Sequence, residues 1–139
     1  MKREKHTLLC LLLSAAFVSG CAQKYKEREP GVINSMKINQ DETLTVVANR
    51  NQIEDKEDFA KLLVKKCKDN AFQSVRFSAD YEYATSLNLR VYLWKDEIEG
   101  QEPVMMVEYK PVEWGMDYDI VHDPEKFQMY VDGELMKNP

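Results

Sequence analysis

From Thr85 to Trp94 the chain alternates without a break, with Leu87, Leu89, Val91 and Leu93 set against Asn88, Arg90, Tyr92 and Trp94. Successive side chains of a strand point to opposite faces, so this pattern makes one wholly apolar face and one mixed face. Wound as a helix, the same four apolar residues would be spread around the circumference, and no single side would be buried. A strand with one buried face requires strands beside it and a layer on top of it. That stretch therefore commits the chain to a covered sheet.

The remaining segments supply both partners. Ser74–Tyr81 alternates Val75, Phe77, Ala79 and Tyr81 with Ser74, Arg76, Ser78 and Asp80, and Thr43–Ala48 alternates Leu44, Val46 and Ala48 with Thr43, Thr45 and Val47. Val104–Tyr109 reads as another strand and Val32–Ile38 as a weaker one, joined to Thr43–Ala48 by the turn residues Asn39–Glu42. Phe127, Met129 and Val131 alternate with Gln128 and Tyr130 and suggest a last strand ending at Asp132-Gly133; Asp123-Pro124-Glu125 equally suits the start of a short helix. The cover is the segment from Lys56 to about Asp69. Asp55 is placed to cap it, Glu57 and Asp58 occupy its first turn, and Phe59, Leu62, Leu63 and Cys67 share one face at helical spacing. Asn70 suits a left-handed stop. The fold expected is α+β: one amphipathic helix packed on an antiparallel sheet of four to six strands, formed by residues 32–139 as a single domain and preceded by a signal peptide and a flexible tether. The helix is expected over the Leu87, Leu89, Val91 and Leu93 face.

The N-terminus has a different character. Lys2, Arg3 and Lys5 precede an apolar run from Leu8 to Val18 that ends in Ser19-Gly20-Cys21. A basic start, a short apolar stretch and small residues at its end make an export signal over residues 1–20. The uncharged stretch from Thr7 to Gly20 is shorter than the roughly 20 residues needed to span a bilayer. Val18-Ser19-Gly20-Cys21 resembles the lipobox of bacterial lipoproteins. That resemblance implies cleavage before Cys21, a diacylglycerol thioether with further acylation on Cys21, and anchorage on the extracytoplasmic side of a membrane. Ala22 in place of aspartate after the cysteine implies the outer membrane if the cell has two. Residues 21–31 read as the lipidated tether, polar and ending in Pro30-Gly31, with a reach of roughly 33 Å when extended. With Cys10 in the leader and Cys21 lipidated, Cys67 has no partner, so the fold is expected to rest on packing and not on disulfides.

Charge narrows the partners. The 139 residues carry 19 Lys+Arg and 24 Asp+Glu, a net −5, and the excess of acid is concentrated after Lys95: residues 96–139 hold 3 Lys+Arg and 12 Asp+Glu. Without a basic block a nucleic-acid role is not expected, because neutralising phosphate supplies most of that affinity.

Motifs for chemistry are few. No nucleophile elbow, zinc-protease helix, paired Cys-x-x-Cys or glycine-rich phosphate loop is present. His122 is the one histidine outside the leader, so a Ser/His/Asp or Cys/His mechanism would have to use it; Cys67, the one thiol left for such a pair, falls on the apolar helix face, where cysteine behaves as a small hydrophobe. Asp117, Asp119, His122 and Asp123, with Glu125 nearby, offer oxygen and nitrogen ligands at short spacing for Ca²⁺ or Zn²⁺, though the stretch lacks the central glycine of an EF-hand loop. Arg90, Tyr92 and Trp94 share the outward face of their strand, with Arg76 on the neighbouring one, and Arg, Tyr and Trp dominate binding hot spots. Against that, Trp114, Tyr118 and the C-terminal segment would make a second core if they folded across this face. The leading expectation is a non-catalytic binding module, free of cofactors and held to a membrane by its lipid, that engages another envelope protein. The alternatives are a metal-binding or metal-dependent hydrolytic domain built on residues 117–125, and an inhibitor or immunity-type lipoprotein whose acidic lobe blocks a basic enzyme.

Overall fold

The structure, a computed structural model, describes residues 26–72 and 83–138. It contains six strands: β1 (Gly31–Ile38), β2 (Asp41–Val47), β3 (Ser86–Tyr92), β4 (Met105–Pro111), β5 (Phe127–Val131) and β6 (Glu134–Met136). One helix, α1 (Lys56–Lys68), lies between β2 and β3 in the chain. The strands form a single sheet in the order β1-β2-β3-β4-β5-β6. The expected strand over Ser74–Tyr81, the leader and Cys21 lie outside the described residues.

Local chemistry sets each boundary. Asn39 and Gln40 both take positive φ, 50° and 76°, and form the two-residue loop that pairs Ile38 with Asp41. Asp132 and Gly133, at 50° and 87°, do the same between β5 and β6. Such loops match the right-handed twist of the strands they join. Asp55 accepts from Asp58 N at 3.0 Å and caps α1. At the other end Asn70 adopts the left-handed conformation, with Asn70 N donating to Cys67 O and Ala71 N to Lys66 O, the Schellman arrangement that satisfies the last carbonyls.

The sheet is antiparallel except at one place. β2 and β3 run parallel, Asp41 opposite Ser86 through Val47 opposite Tyr92, whereas an antiparallel sheet throughout was expected. Parallel neighbours need a long crossover, and the connection that includes α1 provides it. Asp41 Oδ1 ties the two strand starts together by accepting from Thr85 Oγ1 and Ser86 Oγ. At the far end Ala48 N donates to Tyr92 O and Asn49 N to Leu93 O, so the ladder runs on past the strands.

The core fills one side of the sheet. Leu44, Val46, Leu87, Leu89, Val91, Met105, Val107, Tyr109, Phe127 and Met129 are buried there with Phe59, Leu63, Val64 and Cys67 of α1. Leu87, Leu89 and Val91 are buried as expected and Leu93 partly so, while α1 itself sits closest over β4 and β5. The opposite face is lined by residues such as Thr43, Asn88, Glu108 and Tyr130, none of them buried. β1 is an edge strand whose residues from Ile33 to Ile38 are exposed; a register shift between Val32 and Asn34 leaves Ile33 unpaired. Beside it Glu42 is nearly buried and pairs with Lys37 at 3.8 Å; burial pushes its carboxyl up, against the pull of Lys37. Among the described residues no helix is long and apolar enough to cross a membrane.

Two substitutions test this account. Leu89→Ala is expected to cost about 2–5 kcal/mol, as a fully buried leucine leaves a cavity that a packed core only partly closes. Asp55→Ala removes the helix cap and should cost about 1 kcal/mol. Urea unfolding of each variant measures both, and equal losses would contradict the burial difference.

Candidate functional site

The registers place the loops on two opposite edges of the sheet. The chain enters at Gly31, opposite Val47, which lies opposite Tyr92. That edge therefore carries the entering segment, the ends of β2 and β3 and the start of β4. Ile38, Asp41, Ser86 and the Pro111–Phe127 pair mark the other edge, and residues 112–126 loop out from it.

At the entry edge, Asn49 is the fixed point. It is almost fully buried with φ +57°, donates from Nδ2 to Glu29 O at 2.8 Å, and accepts at its carbonyl from Arg28 N. Trp94 lines a groove there with Ile33, Ile98, Arg28, Lys95 and Glu99. The aromatic surface expected on β3 is largely covered: Tyr92 and Trp94 are each 8% exposed. Arg90 is exposed on the same face, and Arg76 lies outside the described residues. Alternation sets which way a side chain points and carries no information about what lies over it.

The opposite edge presents what β3 does not. Residues 112–117 are all exposed, and within them Val112 is 56%, Trp114 69% and Met116 50% exposed. The base of this loop is firmly tied. Val112 N donates to Lys126 O, Lys126 N to Asp123 O within a short 3₁₀ turn over Pro124–Lys126, and Ile120 N to Ala84 O. Asp123-Pro124 does begin a helical turn, and β5 follows it directly, so both readings of this stretch hold in succession. Ile120 is buried in the core, Tyr118 packs against it, and Lys126 Nζ lies 5.4 Å from the centre of the Tyr118 ring. Trp114 therefore does not fold across the mixed sheet face; it stands out from a loop whose second half is anchored.

Of the four cluster residues, Asp119, His122 and Asp123 are tied into one turn and Asp117 stands apart. Asp119 accepts from Val121 N at 2.8 Å, His122 N at 2.7 Å and His122 Nδ1 at 2.9 Å, while Asp123 Oδ2 accepts from Asp119 N at 3.1 Å. Partial burial opposes ionisation of Asp119, but the bonds and charge of His122 and the bond from Val121 outweigh it and hold the carboxyl below its usual range. Asp117 is exposed and takes no part in this turn. Among the described residues no three His, Cys, Asp or Glu side chains are grouped to hold one metal ion. His122 also meets Tyr83 edge-on, with ring centres 5.1 Å apart. Cys67 is buried on the inward face of α1, and that burial, aided by the Glu42 charge, pushes its thiol well above the ordinary range. The structure joins His122 to Asp119 and Tyr83, and not to Cys67.

The exposed tip was concealed in the sequence by its neighbours. Trp114, Tyr118 and Ile120 look alike as apolar residues among acids, and only the depth of Ile120 separates the anchor from the tip. Comparison of the chain with family models, with curated proteins and with solved structures found no match.

Asp119→Ala is expected to loosen the loop base by about 1–3 kcal/mol at pH 7, the cost of stranding its donors. Because the folded-state pKa of Asp119 is depressed, its contribution is complete above the ordinary carboxyl range and disappears as pH falls through the lowered value. Melting temperatures should therefore differ from wild type at pH 7 and converge in strong acid; a gap of constant size would assign the effect to packing.

Proposed function

We propose that this protein is a non-catalytic binding module, anchored through lipid on Cys21 to the extracytoplasmic side of a membrane, where it engages another envelope protein. The observation that carries the binding reading is the exposure of Trp114 between Val112 and Met116 on a loop with a fixed base. Large aromatic side chains contribute heavily when buried at an interface, and exposed apolar side chains grouped together mark interaction sites. The anchoring rests on Val18-Ser19-Gly20-Cys21 at the end of a signal-like leader; two or more acyl chains hold a protein on a bilayer stably, whereas one is marginal. The binding reading also accounts for the potentially reactive groups: the Cys67 thiol contributes to the core, and the Asp119–His122 pair contributes to a turn.

In this reading the full chain sediments with membranes and incorporates labelled fatty acid, and Cys21→Ser abolishes both. Equal fractionation of the two proteins would remove the anchor. For the binding itself, a photo-reactive benzoylphenylalanine placed separately at Met36, Ile98 and Trp114 samples the edge strand, the entry-edge groove and the loop tip. A module of this kind forms an adduct with an envelope protein from at least one position, and silence at all three would rule the reading out.

A further inference from the structure

Resting on that reading, we propose that the loop over residues 112–126 is the contact surface and that its partner is a protein presenting an apolar pocket ringed by Lys and Arg. The tip supplies the apolar part. Val112, Trp114 and Met116 occupy alternate positions, and Gly115 at φ +84° lies in open space, where the chain turns without crowding. Around the tip the charge is mostly negative. Within the loop Glu113, Asp117, Asp119, Asp123 and Glu125 are set against one basic residue, Lys126, whose ammonium lies over the Tyr118 ring. Glu113 and Asp117 flank Trp114 and are both exposed. An aromatic anchor with an acidic rim matches a pocket whose rim is basic: burial of the ring supplies affinity, while the rim charges steer approach and select the partner.

Other occupants fit less well. Anionic headgroups attract Lys and Arg and would repel this loop. A second copy docked loop to loop would place like charges opposite one another. Position points the same way. The chain enters the domain at the Gly31 edge, and the loop leaves from the Pro111 edge. The seven residues of β4 separate these edges by about 20 Å at the usual rise per residue. A domain tethered by its N-terminal segment therefore carries the tip on the side remote from the tether.

The test uses the full chain in the membranes of the cells that make it. With the photo-reactive residue at position 114, the expected result is one predominant adduct, identified by mass spectrometry as a protein of basic isoelectric point. Adduct formation should fall with added salt. With that partner purified, Trp114→Ala should weaken binding by about thirtyfold, the size of a hot-spot loss. Glu113→Gln with Asp117→Asn should slow association and flatten the salt dependence while leaving the melting temperature unchanged. An adduct from Ile98 or Met36 with none from Trp114 would overturn this proposal and leave the binding module intact. An acidic partner, an adduct with a second copy, or quenching of Trp114 fluorescence by brominated acyl chains would each overturn it as well.

Discussion

Among the described residues one helix covers one face of a six-stranded sheet, and it is too narrow for the task. Strands lie about 4.8 Å apart, so the outermost of six are roughly 24 Å apart, whereas a helix with its side chains is about 10–12 Å across. α1 shields the strands beneath it, and the rest of the apolar face must be closed by loops. Phe72 and Ala84 are buried on either side of the segment leading into β3, and Ile120 with Tyr118 comes from the connection between β4 and β5. The long loop after Pro111 is therefore part of the cover. Its need to deliver Ile120 to the core fixes its base, and the fixed base lets its first half project as a defined shape.

That division of labour links packing to the proposed activity. A flexible loop carrying a tryptophan would lose conformational freedom on binding, at a cost of the order of 0.5–1.5 kcal/mol for each side chain immobilised. Here the backbone bonds of Val112, Ile120, Asp123 and Lys126 have already ordered much of the loop. The Asp119 turn, which in the sequence resembles a set of metal ligands, serves the same end by satisfying the backbone between Ile120 and Asp123.

What the sequence disclosed follows from which forces are local. The alternation of Leu87, Leu89 and Val91, the spacing of Phe59, Leu63 and Cys67, the Asp55 cap and the Asn70 stop all report interactions within a few residues, and each was legible. The parallel pairing of β2 with β3 was not, because a strand with one buried face has the same period in either direction. β6, with three residues and no buried side chain, is too short to leave a pattern. Tyr92 and Trp94 could be assigned to a face, but their covering depends on segments distant in sequence. The prominence of Trp114 is illegible for the same reason: exposure is decided by what the rest of the chain fails to reach.

In the proposed membrane-anchored state the irregular β1 edge has a further consequence. Molecules held on a bilayer meet one another far more often than the same number dispersed in solution, and all of them are held by the same end. An open strand eight residues long, with Met36 and Ile38 uncovered, is under those conditions a template on which sheets can grow from one molecule to the next. The unpaired Ile33 breaks the regularity such growth requires, and Lys37, held by Glu42, sets a charge in its path. The small defect in the ladder thus protects the crowd as much as the individual molecule.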